Sequence, residues 1–299
     1  MRVKKSIFFM IVLGLFVIGA GVFALYFTKV PEWKVDQAGF LHYPDIAKAP
    51  ALLSDTKINE SNIWTEEKIS FPSRNAVIYG LLFRSKTPAL GILLLPGGAV
   101  TKEQERRTAI IWADKGYNVL TIDQRGIGET GGYYPSFEMD YRAFSENYEP
   151  VQNLQVYDAL VSAAVLRAQN SVKTKSIMYM GESMGGRVAV VAAALDKSSL
   201  GLIGISTAGF HAGSQPNAQT YRYLHSFDPD SYIGMISPRP IIMLHSKNDT
   251  TIPVQSAIAT YDLAKNPKDF IVVDDKQCGH GFCPLMIEPV EEFLSTFKG

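Results

Sequence analysis

Short apolar stretches alternate with longer segments of helical periodicity along most of the chain, and this alternation predicts its architecture. Short apolar runs bounded by Gly, Pro or polar residues are typical of buried strands, whereas longer runs with a helical repeat predict helices. The predicted strands cover residues 76–83, 91–95, 118–122, 176–180, 201–206, 241–244 and 270–273. The predicted helices cover residues 102–115, 151–169, 187–195, 254–264 and 289–297. Strands that alternate with helices predict an α/β fold with a mostly parallel central sheet.

A different hydrophobic pattern occurs at the N-terminus. No charged residue occurs from Ser6 to Phe27, and Arg2, Lys4 and Lys5 precede this run. An apolar run of about 20 residues is long enough to span a bilayer as a helix. Basic residues ahead of it favour an N-terminus in the cytoplasm. We therefore predict a transmembrane signal-anchor with the folded domain outside the cytoplasm; a cleaved signal peptide and a buried soluble helix are the alternatives.

These patterns define the expected domain organisation. Residues 1–5 form a cytoplasmic stub and residues 6–27 the membrane anchor. Residues 28–65 have mixed polarity and predict a tether with an edge element. Residues 66–299 form the α/β domain, in which residues 207–238 are either a small cap over a pocket or a surface loop.

Composition narrows the function classes. The chain has 299 residues, 46% of them hydrophobic, and a formal net charge of zero. This content supports one sizeable α/β core. The neutral charge gives no indication of nucleic-acid binding or of a highly charged substrate.

The candidate chemistry centres on Ser183. It occupies the middle of a G-x-S-x-G pentapeptide, residues 181–185, between a predicted strand and a predicted helix. A strand, a tight glycine turn and a helix together define a nucleophile elbow, which exposes the serine hydroxyl. The alternative is a plain Gly/Ser turn, so the assignment depends on partner residues.

The sequence has five histidines to choose from as the base: His42, His211, His225, His245 and His280. In triads built on such an elbow, the chain order is serine, acid, histidine. His42 precedes the serine, His211 and His225 come before a further strand and its acid, and His245 closes an apolar run. His280 lies on a glycine-flanked loop near the C-terminus and is therefore the predicted base.

The predicted acid is Asp249. It lies in the loop beyond strand 241–244, and open α/β sheets place functional residues beyond the carboxyl ends of their strands. Asp274 and Asp275 are competitors that follow the strand immediately before His280. An Asx turn or helix cap is the structural alternative for Asp249.

A serine nucleophile that attacks a carbonyl group also needs backbone N–H groups that face the developing oxyanion. One is expected from Met184, the residue after the nucleophile. The other is expected from the loop at residues 96–99, Pro-Gly-Gly-Ala, where Gly98 is the predicted donor and Ala99 the alternative.

With these segments the chain resembles the α/β-hydrolase superfamily, and in particular small esterases and prolyl-oligopeptidase-like or serine aminopeptidase-like hydrolases. The matching segments are residues 93–98, 121–128, 181–186, 237–253 and 279–281. The resemblance implies the α/β-hydrolase fold with a Ser183–Asp249–His280 triad and no metal or organic cofactor. Pro96 stands where many relatives carry histidine.

One glycine-rich motif invites a different interpretation. Residues 126–131 fit G-x-G-x-x-G and follow the strand at 118–122. Dinucleotide binding requires a helix to begin there. The helix-breaking residues 132–136 follow instead, which argues against dinucleotide binding. The resemblance to α/β hydrolases implies that this segment is a structural loop behind the nucleophile.

Cys278 and Cys283 are the only cysteines and bracket His280. They form either a disulfide, which an extracytoplasmic location permits, or two reduced thiols. A zinc site formed by the two cysteines and His280 is not expected, because it would need a fourth ligand.

The sequence therefore predicts a membrane-anchored serine hydrolase that acts on a small-molecule ester or a short peptide. Ester hydrolysis is the first hypothesis, followed by a peptidase and an acyltransferase. A catalytically silent binding protein is the non-enzyme alternative, although such proteins usually lack a triad member.

Overall fold

The apolar runs of the sequence form the central strands of one nine-stranded sheet. A computed structural model of the protein describes residues 32–43 and 49–298. By internal contacts the chain divides into residues 1–34 and the unit Val35–Gly299, which contains this sheet.

The strands begin close to their predicted positions and extend further at several ends. Their bounds are β1 Lys34–Val35, β2 Leu41–His42, β3 Ser54–Glu60, β4 Trp64–Ser73, β5 Ala76–Ser85, β6 Ala89–Leu95, β7 Asn118–Ile122, β8 Val172–Glu182, β9 Gly201–Ile205, β10 Ile241–Ser246 and β11 Lys268–Val273. The first two pair with each other, and the remainder form the large sheet.

The order of strands across the sheet places the functional loops. It runs β11-β10-β9-β8-β6-β7-β5-β4-β3. The strands from β6 to β11 are parallel, whereas β3, β4 and β5 pair in antiparallel fashion. β7 lies on one side of β6 and β8 lies on the other, so the chain leaves β6 toward one edge of the sheet and then returns to continue toward the other edge. Such a switch point opens a crevice at the carboxyl ends of the strands. The mostly parallel α/β-hydrolase sheet predicted from the sequence is confirmed.

Helices connect these strands. Their bounds are α1 Lys102–Asp114, α2 Phe137–Ser145, α3 Val151–Ala168, α4 Ser183–Leu195, α5 Ala218–His225, α6 Pro229–Tyr232, α7 Val254–Asp262 and α8 Ile287–Ser295. α3 and α4 pack against each other. α1 and α8 contribute Trp112, Val290 and Leu294 to a buried cluster with apolar side chains of the sheet.

The expected tether is shorter than the sequence suggested, and the boundary at residue 66 needs correction. β3 and the start of β4 belong to the sheet and precede that boundary. Leu41 is fully buried, and its N–H donates a hydrogen bond to Tyr232 Oη at 2.7 Å. β3 is an edge strand within residues 28–65, where an edge element was expected. The sequence did not define its bounds, because every residue of the strand is exposed and no apolar and polar positions alternate.

The segment expected as a cap, residues 207–238, forms α5 and α6. It packs against α2, a helix that the sequence analysis did not predict, through ring contacts of Phe137 with Phe210 and Phe227. None of the residues 207–238 lines the cavity beside the site described below, although Thr207 Oγ1 donates a hydrogen bond to the carbonyl of Ser183 at 2.7 Å. The small cap over the pocket stays a prediction.

The membrane span predicted at residues 6–27 lies outside the described residues. Within residues 32–43 and 49–298, no helix is long and apolar enough to cross a bilayer.

Candidate active site

Ser183 lies at the junction of β8 and α4, at the centre of the sheet's carboxyl edge. Its backbone has a φ of 52°, a left-handed conformation that is unfavourable for a residue with a side chain. Two close approaches hold this turn. A Cβ atom on Gly185 would overlap the carbonyl oxygens of Leu95 and Pro96, and one on Gly181 would overlap the carbonyl of Gly185. Only glycine fits at these two positions, so the turn is the strained elbow that the sequence predicted.

The three predicted triad residues lie in contact. His280 Nε2 lies 2.8 Å from Ser183 Oγ, and His280 Nδ1 lies 2.8 Å from Asp249 Oδ2. β8, β10 and β11 run parallel, so the segments that follow them meet at one edge of the sheet. Both contacts are within the range for a nucleophile, a base and an orienting carboxylate.

Asp249 is held as an anion by its surroundings. Its side chain is buried, yet its Oδ1 accepts hydrogen bonds from the N–H groups of Thr251 and Ile252, each at 2.9 Å. Burial opposes ionisation, but the hydrogen bonds from Ile252 and His280 outweigh it and lower the pKa of Asp249 below its ordinary value. The other two acids that the sequence left open lie elsewhere. Asp274 pairs with Lys247, and Asp275 accepts a hydrogen bond from Gln277 N–H.

His245 lies under this acid. It is almost completely buried, with Nε2 2.8 Å from the carbonyl of Ile252 and 3.2 Å from Asp249 Oδ2. Burial lowers the pKa of His245, so the imidazole is neutral at neutral pH. It packs at a strand end, as predicted, and supports Asp249 without approaching Ser183.

A second serine, histidine and aspartate also lie in contact, on the surface. His211 Nε2 lies 2.6 Å from Ser256 Oγ, and its Nδ1 lies 2.7 Å from Asp230 Oδ2. Ser256 lies in the first turn of α7, which is not a strained elbow. The cavity beside Ser183 is not lined by any of the three. Substitutions in this second set therefore serve as controls for substitutions of Ser183, Asp249 and His280.

The loop after β6 faces the nucleophile. Within the described part of the chain, the N–H groups of Gly98 and Ala99 donate no hydrogen bond. Ala99 has a φ of 61°, so the loop turns sharply there. Met184 lies in the first turn of α4, where backbone N–H groups have no partner within the helix. The N–H groups of Gly98, Ala99 and Met184 are therefore candidates to donate to an oxyanion.

The loop after β6 is also held by residues 123–126, Asp-Gln-Arg-Gly, which follow β7. Gln124 Nε2 donates a hydrogen bond to the carbonyl of Pro96 at 2.6 Å. Asp123 accepts from the backbone N–H of Lys102 at 2.8 Å and from its ammonium at 2.7 Å. Residues Gly128–Thr130 form a 3₁₀ turn whose Glu129 N–H also donates to Asp123. The glycine-rich motif therefore holds Asp123, which in turn binds Lys102 at the start of α1. The sequence analysis did not single out Gln124, although its place between Asp123 and Arg125 in a matching segment was a usable signal.

The His280 loop is fixed by several contacts. Cys278 and Cys283 form a disulfide that closes the loop. Glu182, next to the nucleophile, accepts a hydrogen bond from Phe282 N–H at 3.0 Å, and Ser206 Oγ donates to the carbonyl of Gly281 at 3.2 Å. Glu182 thus ties the histidine loop to the nucleophile turn, a role that its position in the pentapeptide did not reveal.

We expect the Cys278→Ser/Cys283→Ser double variant to lose more activity than stability. The bridge spans five positions, and such a short loop stabilises the fold by about 2 kcal/mol at most through chain entropy. Glu182 and Ser206 still hold the loop, so turnover should fall about tenfold and not vanish. Ester turnover and urea unfolding with and without reductant measure the two effects. Alkylation of both thiols without reductant would contradict the bridge.

A buried carboxyl group beneath Glu182 predicts a pH-dependent stability. Glu105 is 4% exposed, and its Oε1 has no partner among the described residues. Burial, and secondly the charge of Glu182, raise its pKa from 4.5 to about 7. The folded chain therefore holds this proton more tightly than the unfolded chain, and stability declines as the pH rises from about 4.5 through 7.

The substitution Glu105→Gln should remove the part of this pH-dependent loss of stability that is due to Glu105. The shift corresponds to about 3 kcal/mol between pH 4 and pH 8. Glu149, whose pKa burial also raises to about 7, retains its own share in the variant. Urea unfolding at both pH values measures the difference, and an equal decline in both proteins would contradict the assignment.

The sheet with its switch point, the strained serine turn and the histidine contacts together define an α/β hydrolase. The chain belongs to the dienelactone hydrolase family, whose family model matches residues 78–285.

Individual relatives are distant. The chain is 24% identical over 272 residues to the uncharacterized protein YfhR of Escherichia coli O157:H7, covering 87% of this chain and 85% of YfhR. It is 26% identical over 232 residues to the lysophosphatidylserine lipase ABHD12 of Danio rerio, covering 70% of this chain and 54% of that protein. The acetyl xylan esterase from Paenibacillus sp. R4 has a similar fold, with a TM-score of 0.69 at 19% identity over 83% of this chain and 89% of that chain.

Proposed function

We propose that the chain is a serine hydrolase that cleaves carboxylic esters through an acyl-enzyme. Ser183 is the nucleophile, His280 the general base, and Asp249 the carboxylate that orients His280. The observation that carries the proposal is that His280 connects the other two residues, with both contacts at 2.8 Å. Membership of the dienelactone hydrolase family supports the same reaction class.

The first half of the reaction forms the acyl-enzyme. Ser183 Oγ attacks the ester carbonyl carbon while its proton moves to His280 Nε2. The anionic Asp249 stabilises the resulting imidazolium. Its lowered pKa keeps it ionised at neutral pH. As the C–O bond breaks, the leaving oxygen takes the proton from Nε2 and departs as an alcohol.

The second half releases the acid. A water molecule takes the position of the alcohol and gives one proton to His280 Nε2 as its oxygen attacks the acyl carbon. The bond to Ser183 Oγ then breaks, and the proton returns to Oγ. The backbone N–H groups of Gly98 and Met184 are the proposed donors to the oxyanion in both halves, with Ala99 as the alternative to Gly98.

Esters are proposed before peptides because, among the described residues that line the adjacent cavity, none is acidic and could pair with the free amine of a peptide. A panel of p-nitrophenyl esters and aminoacyl anilides tests the choice. Turnover of esters with little or no anilide cleavage supports the proposal. Preferential anilide cleavage would replace it by a peptidase, and absence of any turnover would favour a binding protein.

We further propose that residues 6–27 anchor the hydrolase domain on the outer side of a membrane. The uncharged run with basic residues ahead of it supports this placement. The disulfide between Cys278 and Cys283 is consistent with an oxidising compartment.

The anchor predicts that the full chain remains in the membrane fraction after a carbonate wash. A protease added to cells freed of any wall or outer membrane should cleave the domain, because the domain faces outward. Recovery of a soluble mature chain that begins near Gly21 would contradict the anchor in favour of a cleaved signal peptide.

A further inference from the structure

The carboxylate of Glu182 lies against the main chain that carries His280. Glu182 is the last residue of β8 and is bonded directly to Ser183. Its Oε2 accepts a hydrogen bond from the N–H of Phe282 at 3.0 Å. Its Oε1 lies so close to Gly281 that a Cβ atom there would be 2.6 Å from this oxygen. Both carboxylate oxygens therefore face the two residues that follow His280.

Gly281 allows this close approach. Its φ of 95° is in the left-handed region that favours glycine, and a side chain at this position would also displace the carboxylate. Ser206 Oγ donates to the carbonyl of the same glycine at 3.2 Å. The loop of His280 is thus held by Glu182 at the end of β8 and by Ser206 directly after β9.

The elbow gives Glu182 little freedom to move. Ser183, the next residue, has a φ of 52°, and Gly185 packs against the carbonyl oxygens that follow β6. A shift of Glu182 would therefore move the nucleophile as well. The hydrogen bond to Phe282 consequently links the positions of the nucleophile and the base through one rigid side chain.

The charge of Glu182 is complementary to the charge that His280 acquires during catalysis. Burial raises the pKa of Glu182, while the hydrogen bond from Phe282 and the charge of His280 oppose this shift. Within the described residues, no lysine or arginine forms an ion pair with Glu182. His280 becomes an imidazolium only when it takes the proton of Ser183. The attraction is therefore strongest in the transition state, and an interaction of this kind accelerates a reaction.

The neighbouring carboxyl group of Glu105 does not take over this role. Burial, and secondly the charge of Glu182, raise the pKa of Glu105 to about 7. When two carboxyl groups interact in a buried site, one of them takes up a proton first. Near neutral pH that proton lies on Glu105, and Glu182 carries the negative charge.

We propose that Glu182 is a positioning residue for His280 and that its carboxylate acts together with Asp249 to stabilise the imidazolium formed during acyl transfer. This inference rests on the proposed triad. Asp249 orients the ring through Nδ1, whereas Glu182 holds the main chain of the loop and adds a second negative charge. The two contributions can be separated, because glutamine has nearly the shape of glutamate and no charge.

Glu182→Gln should lower kcat for p-nitrophenyl esters about tenfold and leave KM within about twofold of the wild type. Its side-chain oxygen still accepts from Phe282 N–H, so the loop stays in place. Loss of the negative charge makes the imidazolium less favourable. The pH at which kcat/KM falls to half on the acid side should therefore move down by about 0.5–1 unit. The control Glu292→Gln removes an exposed carboxylate on α8 and should match the wild type in kcat and in pH profile.

Two further variants distinguish charge from loop position. Ser206→Ala removes the bond to the Gly281 carbonyl but no charge, so kcat should fall while the acid side of the pH profile stays in place. Glu182→Ala removes both the bond and the charge, and kcat should fall about a hundredfold with the same downward shift as in Glu182→Gln. An unshifted profile in either folded Glu182 variant, or an equal shift in Ser206→Ala, would overturn the inference. Circular dichroism verifies the fold of each variant.

The outcomes separate the two proposals. If Ser183→Ala loses turnover but Glu182→Gln keeps the wild-type kcat and pH profile, the role of Glu182 fails and the hydrolase proposal stands. If turnover continues in Ser183→Ala, the hydrolase proposal fails and the role of Glu182 fails with it.

Discussion

Replacement Ser183→Ala should reduce kcat for p-nitrophenyl esters by about four to six orders of magnitude. Ser183 Oγ is the atom that forms the covalent bond to the acyl group, and no other hydroxyl lies at the end of the His280 imidazole among the described residues. The remaining rate comes from the oxyanion donors and substrate positioning, acting on water. Alanine tolerates the elbow geometry no worse than serine, so circular dichroism and thermal unfolding should match the wild type.

The chain contains a matched control for this variant. Ser256 Oγ also lies within hydrogen-bond distance of a histidine, His211, which contacts Asp230. Ser256→Ala should retain full activity, because Ser256 has no elbow and no adjoining oxyanion loop. Near wild-type turnover in folded Ser183→Ala, or loss of turnover in Ser256→Ala, would contradict the assignment of the nucleophile.

The second large effect is expected for Asp249→Asn, at about 10⁴-fold in kcat. Oδ1 of Asp249 accepts hydrogen bonds from the N–H groups of Thr251 and Ile252, so an asparagine oxygen should occupy that position. The asparagine NH₂ then faces His280 Nδ1 and donates to it. This arrangement leaves the proton on Nε2, and the imidazole can no longer accept the proton of Ser183.

The competing acids provide the control. Asp275→Asn should leave kcat within about twofold of the wild type, because Asp275 accepts from Gln277 N–H on the surface of the loop. Equal activities of Asp249→Asn and Asp275→Asn would contradict the triad.

Local chemistry explains why the site could be predicted in advance. The turn at Ser183 depends on glycines within two residues of it, so its signature is contained in one short segment. Asp249 and His280 were predicted from the chain order of serine, acid and histidine and from their places in loops that follow strands. The carboxyl ends of parallel strands share one edge of the sheet, so these loops meet there. Asp274 and Asp275 were excluded only by the structure.

Features that depend on contacts between distant parts of the chain could not be predicted from the sequence. β3 pairs at the sheet edge with every residue exposed, and such a strand has no hydrophobic period. Gln124 and Gln155 line one cavity although Gln124 follows β7 and Gln155 lies on α3. The second set of serine, histidine and aspartate arises from side-chain hydrogen bonds that join the loop of His211 to α6 and α7, and no sequence motif predicts them.

The most direct test of the account is the site of covalent labelling by a fluorophosphonate. Such a probe reacts with a serine only where an adjacent base takes its proton and oxyanion donors stabilise the adduct. Peptide mass spectrometry of the labelled protein should find the phosphonyl group on Ser183 alone, with labelling lost in Ser183→Ala and unchanged in Ser256→Ala. Absence of labelling, or labelling at any other serine with Ser183 unmodified, would contradict the proposed nucleophile.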